Sequence, residues 1–154
     1  QELAKLSSCS QQDTVGVDMV RSLVGGWQVQ TTFEMLGAVR NGRTPDALAE
    51  FGKLWEAKEP LQKLMGGVAF VYRRLARATE LARQGRGLDD ALKQAKVFYR
   101  EIPESNRYLR RIGRAEAESF VERLLEVDKG LKGQERLPGN VQFERLLVQL
   151  GGTR

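Results

Sequence analysis

Pro60-Leu-Gln-Lys-Leu-Met-Gly-Gly-Val-Ala-Phe-Val-Tyr-Arg-Arg-Leu-Ala-Arg-Ala-Thr-Glu-Leu-Ala-Arg-Gln84 is the stretch whose reading decides the fold. Apolar residues recur at Leu61, Leu64, Met65, Val68, Val71, Tyr72, Leu75, Ala78 and Ala82, always three or four apart. That spacing sets them on one stripe of an α-helix. Pro60 suits the first turn, where a missing N–H costs nothing, and Gly85 and Gly87 stop the helix. At 1.5 Å per residue the span is roughly 37 Å, the length of a central helix. Gly66-Gly67 stands inside it, where each glycine costs about 1 kcal/mol relative to alanine. The pair implies a kink or the close approach of a neighbouring helix, and close packing is the favoured reading.

Working outward, the same period returns on both sides. Thr31 and Glu34 have the spacing of a capping box, opening a helix with Phe33, Leu36 and Val39 inward and Gly42 as its stop. Thr44 and Pro45 read as a cap and a first-turn proline before Leu48, Phe51, Leu54 and Trp55. Trp27-Gln-Val-Gln-Thr31 alternates like a strand, but no partner strand is evident, so it reads as an extended connector. Upstream, 1–8 looks like the tail of a helix, 9–16 like a turn, and Asp18 caps a short helix with Val20, Leu23 and Val24. Gly25-Gly26 ends it and marks the best domain boundary.

Downstream, Leu88, Ala91, Leu92, Ala95 and Phe98 continue the helical spacing, and Pro103 interrupts it before a short helix over 105–112. A strong helix over 114–132 turns Ala117, Phe120, Val121, Leu124, Leu125 and Leu131 inward. Pro138-Gly-Asn140 is a turn and cap, and Phe143, Leu146, Leu147 and Leu150 belong to a last helix. The expectation is an all-α helical bundle over 27–154, preceded by the end of a smaller helical domain over 1–26. No repeat of 20–50 residues stands out, which disfavours a solenoid.

Composition narrows the function. The 154 residues carry a net charge of +5, 41% hydrophobic and 29% charged residues, enough for one folded domain. There is no histidine and a single cysteine, Cys9. The commonest general base, the usual activator of serine or cysteine nucleophiles and an intrachain disulfide are therefore missing, and no zinc site is expected. No phosphate-loop or dinucleotide fingerprint occurs. No cofactor, no metal and no catalytic residue are expected. The apolar runs fall short of the ~20 residues a bilayer requires, so no membrane partner is expected either. The chain opens Gln-Glu-Leu without Met and already in helical phase, and reads as a piece of a longer protein.

Charge supplies the candidate contacts. Arg107, Arg110, Arg111 and Arg114 are spaced to share one face of a continuous helix, and Arg73, Arg74 and Arg77, with Arg83 and Arg86 beyond, form a second group. These arginines are open to three readings: a solvated face, an acidic protein partner, or phosphates of a nucleic acid. Gly113 interrupts the first group before Arg114. Asp128 and Lys132 stand acid before base at i, i+4, a structural polar pair. Trp27, Trp55, Tyr72, Phe98 and Phe143 are core or interface residues rather than a base-stacking platform.

Several segments resemble the C-terminal part of the delta subunit of the bacterial DNA polymerase III clamp loader. Gln1-Glu-Leu-Ala-Lys-Leu6 is similar to a helix of that family's lid domain, and Val15-Gly-Val-Asp-Met-Val-Arg-Ser-Leu-Val-Gly25 to the short element after it. Thr32-Phe-Glu-Met-Leu-Gly-Ala-Val39 resembles the helix that opens the collar domain. Leu124-Leu-Glu-Val-Asp-Lys-Gly-Leu-Lys-Gly133 and Phe143-Glu-Arg-Leu-Leu147 are similar to the family's closing stretch. Between Phe98 and Gly113 only Pro103 remains of a His-Pro-aromatic pattern, and no role is carried over there.

The resemblance implies the end of an AAA+-like lid over 1–26 and an oligomerising collar over 27–154. It implies a non-catalytic, cytoplasmic role in DNA replication, with delta-prime and gamma/tau-type subunits as partners. DNA would be met within the complex, and the sliding clamp only through an N-terminal domain outside this chain. The competing reading from the residues is a stand-alone nucleic-acid-binding module using the Arg107, Arg110, Arg111 and Arg114 face. A small enzyme working through carboxylates is a remote third.

Overall fold

The computed structural model describes residues 26–152, so the helix tail, the turn and the Asp18-capped helix expected over 1–25 lie outside the described residues. The described chain is all α-helix: α1 (Gly26–Arg40), α2 (Thr44–Glu56), α3 (Leu61–Arg83), α4 (Leu88–Gln94), α5 (Ile102–Ile112), α6 (Arg114–Glu118), α7 (Phe120–Lys129) and α8 (Gly139–Gly151). A 3₁₀ turn, Tyr99–Glu101, precedes α5, and a wide turn, Gly130–Gln134, follows α7.

α3 is the axis. Its stripe of Leu64, Met65, Val68, Val71, Tyr72, Leu75 and Ala78 is buried, as the spacing predicts. α4 and α7 pack along it, while α8 closes on α2, α7 and α1. Each fully buried Leu, Val or Phe stabilises this interior by about 1.5–3 kcal/mol. Two aromatic centres organise the core. Phe51 of α2 stacks on Phe143 of α8 with centroids 4.7 Å apart. Tyr72, Tyr108 and Phe120 bring α3, α5 and α7 together, Tyr72 meeting Phe120 edge-on at 4.9 Å. The last helix buries Phe143, Leu146, Leu147 and Leu150, as expected.

Several local expectations give way. Trp27 to Thr31 is helix rather than extended connector, so Thr31 sits inside α1 and opens no capping box. The neighbouring Thr32 hydroxyl donates to the Gln28 carbonyl at 2.8 Å, a bond made within the helix. Thr44 makes no side-chain cap bond, although Pro45 does occupy the first turn of α2. Pro60 precedes α3 as its N-cap residue, one position before the first turn. Pro103 opens α5 instead of interrupting a helix, because the missing N–H falls in the first turn. α4 stops at Gln94, well before Phe98, and Lys96 takes a positive φ of 66° in the turn that follows.

The expected long helix over 114–132 divides at Ser119 into α6 and α7. The Ser119 hydroxyl donates to the Glu116 carbonyl at 2.7 Å and accepts from Arg123 Nε at 2.9 Å, a local alternative to the helical ladder. Ala117, Phe120 and Leu124 face the core, but Val121 and Leu125 are 44% and 52% exposed. One stripe suffices to face α3. The second, about 100° further round the helix, is left to solvent.

Candidate interaction surface

The outward side of α3 carries Gln62, Gly66, Ala69, Phe70, Arg73 and Arg77, at helical spacing and away from the buried stripe. Opposite it lies the solvent stripe of α7, with Val121, Leu125 and Asp128. Between the two helices runs a groove of about 470 Å³. Its apolar surface is exposed: Phe70 is 39% accessible, alongside Val121 and Leu125.

The two glycines of α3 behave differently. A Cβ on Gly67 would meet the Thr32 methyl at 3.2 Å, so this glycine lets α1 approach, as the close-packing reading expects. A Cβ on Gly66 would meet nothing within 4 Å among the described residues, and Gly66 opens into the groove.

The α3 arginines flank this groove. Arg73 and Arg77 are exposed. Arg74 folds back, its guanidinium carbon 3.8 Å from the centroid of the Phe70 ring and its Nη1 donating to the Phe70 carbonyl at 2.8 Å. Phe98 leans on the other side of that patch, 5.8 Å from Phe70. At the far end Lys132 Nζ donates to Asp128 Oδ2 at 2.9 Å, the pair expected from their spacing.

The second arginine group is divided by geometry. Gly113 ends α5 with φ 86°, a left-handed conformation that glycine adopts without strain. Arg114 therefore starts another helix and does not extend the face of Arg107 and Arg110. Arg110 Nε donates to Asn106 Oδ1 at 2.6 Å, and Asn106 in turn donates to Asp89 of α4 at 2.6 Å. All four residues, Arg107, Arg110, Arg111 and Arg114, are exposed.

Arg111 is a tie between three helices. Its Nη1 donates to the Gly151 carbonyl at 2.7 Å, and its Nη2 reaches the Val39 and Arg40 carbonyls at 3.3 and 3.5 Å. The last carbonyls of a helix lack internal partners and carry partial negative charge. One cation thus serves the ends of both α1 and α8.

Beneath it lies a polar cluster that sequence reasoning missed. Arg40 is only 4% exposed; its Nε donates to Glu104 Oε2 at 2.6 Å, and Glu101 lies 3.8 Å from Nη2. Asn41 donates to the other Glu104 oxygen at 2.7 Å. The Tyr108 hydroxyl donates to the Leu150 carbonyl at 2.5 Å, which leaves the Tyr72 hydroxyl, 3.1 Å away, to donate to Tyr108. Burial pushes the Tyr72 hydroxyl up to about 12 and raises Tyr108 as well, against the lowering influence of Arg40 and Arg111. The only sequence signal for this cluster is that Arg40 closes a helix whose preceding turn, Leu36 to Val39, is apolar.

Among the described residues no group of three or more Cys, Asp or Glu side chains is placed to hold a metal ion. No described helix is long and apolar enough to cross a membrane. No curated protein and no solved structure matches the chain. A family model does: the DNA polymerase III delta subunit, C-terminal domain, matches residues 29–150.

Proposed function

Because this chain belongs to the family of the C-terminal domain of the DNA polymerase III delta protein, a non-catalytic clamp-loader component, we propose that it is the module by which a delta subunit is held among the other loader subunits. The observation that carries the reading is the match itself, which spans the described helices from within α1 to within α8. In this reading 27–154 is the helical collar and 1–26 is the end of an AAA+-like lid. The partners are delta-prime and gamma/tau-type subunits in the cytoplasm, and the sliding clamp and DNA are met by the assembled loader.

The architecture supports an assembly role. One core holds all eight described helices, and what it leaves outside is an apolar groove with arginines along it. The stand-alone nucleic-acid reading asks for four free guanidinium groups on a single face. Here Arg110 and Arg111 are engaged within the chain, and Arg114 follows a break.

The test is co-assembly. The chain, shown to be folded by its helical circular dichroism and a cooperative melt, is mixed with delta-prime and gamma/tau-type subunits and followed by sedimentation velocity. A shared, faster boundary is expected. A folded chain that stays apart from both partners overturns the reading. So does tight binding of duplex DNA by the isolated chain that weakens steeply with salt and depends on Arg107 and Arg110.

A further inference from the structure

Gly66 lies in the interior of the central helix, where glycine costs about 1 kcal/mol relative to alanine. Nothing among the described residues uses its missing side chain, since a Cβ there meets open space. Its neighbour Gly67 is accounted for by Thr32. Gly66 and Ala69 make the low floor of the α3–α7 groove, and Phe70, Val121 and Leu125 make its apolar walls. A small-residue floor between apolar walls is the shape a foreign helix needs for its backbone to come close.

Charge sets the chemistry of what enters. Arg73 lines the groove and Arg77 lies one turn beyond it on the same face, both exposed. The acid of the far end, Asp128, is already paired with Lys132. Arg74 adds a donor held in reserve. Folded over Phe70, it leaves its Nε buried with no hydrogen-bond partner among the described residues, and swinging outward toward a carboxylate relieves that. From Gln62 to Arg74 the floor runs about 18 Å along the helix axis, or three turns.

From this we infer that the α3–α7 groove is the seat of an amphipathic helix of a sister loader subunit, with an apolar face against Gly66, Val121 and Leu125 and carboxylates against Arg73 and Arg77. The inference rests on the assembly reading above and names the surface it uses.

Three variants of the full chain test it in the sedimentation assay with delta-prime and gamma/tau-type subunits. Gly66→Leu is the sharpest, because its two effects run in opposite directions. Melting temperature should hold or rise, as a helix-favouring side chain enters open space, while affinity for the subunits falls by about tenfold or more. Leu125→Glu should weaken assembly comparably, and Arg73→Glu should weaken it and flatten its salt dependence. Val148→Glu, at an exposed apolar position on α8, is the control and should leave assembly unchanged.

If wild type assembles and all three groove variants assemble equally well, the groove is not the seat, although the assembly reading survives. If folded wild type joins neither subunit, the assembly reading falls and this inference with it. Two further results overturn the choice of occupant. One is a dimer of this chain alone, lost on Leu125→Glu. The other is binding of a labelled DNA duplex that depends on Arg73 but not on Leu125.

Discussion

Arg107, Arg110 and Arg111 follow one another with the same helical spacing that relates Arg73, Arg74 and Arg77, and apart from Gly113 before Arg114 nothing in the sequence sets the two groups apart. The fold separates them. On α5 the charge is tied to the chain although it stays at the surface: Arg111 bonds the ends of α1 and α8, and Arg110 is held by Asn106. On α3 Arg73 and Arg77 are exposed and make no side-chain bond among the described residues, and Arg74 is folded over an aromatic ring at the groove. The difference comes from what lies nearby. α5 runs past two helix ends with orphan carbonyls, which attract a cation, whereas among the described residues the outer side of α3 meets Phe98 and the solvent stripe of α7. Spacing identifies a face. It does not say whether the charges on that face are bonded within the protein or left free.

The contrast can be broken or sharpened by substitution. The largest effect belongs to Arg40, the extreme case of an arginine taken inside. Glu104→Ala removes its closest partner and should cost about 3 kcal/mol, since among the described residues the buried cation then keeps Glu101 alone, at 3.8 Å. A chain of this size loses about 2–4 °C of melting temperature per kcal/mol, so thermal denaturation reads the loss directly.

Alkaline pH comes next. Tyr72 is raised in the folded state, mainly by burial, so folding favours its protonated form. The stabilisation is fully present below the unfolded value near 10 and is lost as pH rises toward about 12. Stability should fall by roughly 1.4 kcal/mol per pH unit in that window for each tyrosine that must ionise on unfolding. Arg111 lowers both tyrosines, so Arg111→Ala should move their ionisation upward in the ultraviolet tyrosinate titration. Arg73→Ala should leave it in place.

Arg111→Ala should itself destabilise by about 1.5 kcal/mol, from the lost charged bond to Gly151 and weaker ones to Val39 and Arg40. Arg73→Ala should stay within about 0.5 kcal/mol of wild type in the same urea titration. Equal losses at the two positions would erase the distinction between the groups. The smallest effect is expected at Asp128→Ala, a few tenths of a kcal/mol, because the Lys132 pair is an exposed contact within one turn.

Much of the architecture is legible in the chain alone. The Pro60 and Phe143 helices can be read because their apolar period runs unbroken and their ends carry glycine or proline. Trp27 to Thr31 cannot, since five residues alternate by chance, while α1 packs against α2 and α3 in a way that no local pattern records. Val121 and Leu125 mislead for a different reason. Apolar residues on two adjacent stripes cannot say which stripe the neighbouring helix will cover. Arg111 is visible as an arginine, but its acceptors lie 40 and about 70 residues away in sequence. No local pattern records such a bond. The polar cluster under it is unreadable for the same reason, because Arg40 and Glu104 become partners only when α1 and α5 meet.

The shared guanidinium of Arg111 has a kinetic corollary. When one cation closes two helices, the fraying of their final turns ceases to be two independent events. Amide protons in the last turns of α1 and α8 should then exchange with solvent at matched rates, and the match should dissolve once that single side chain is cut back.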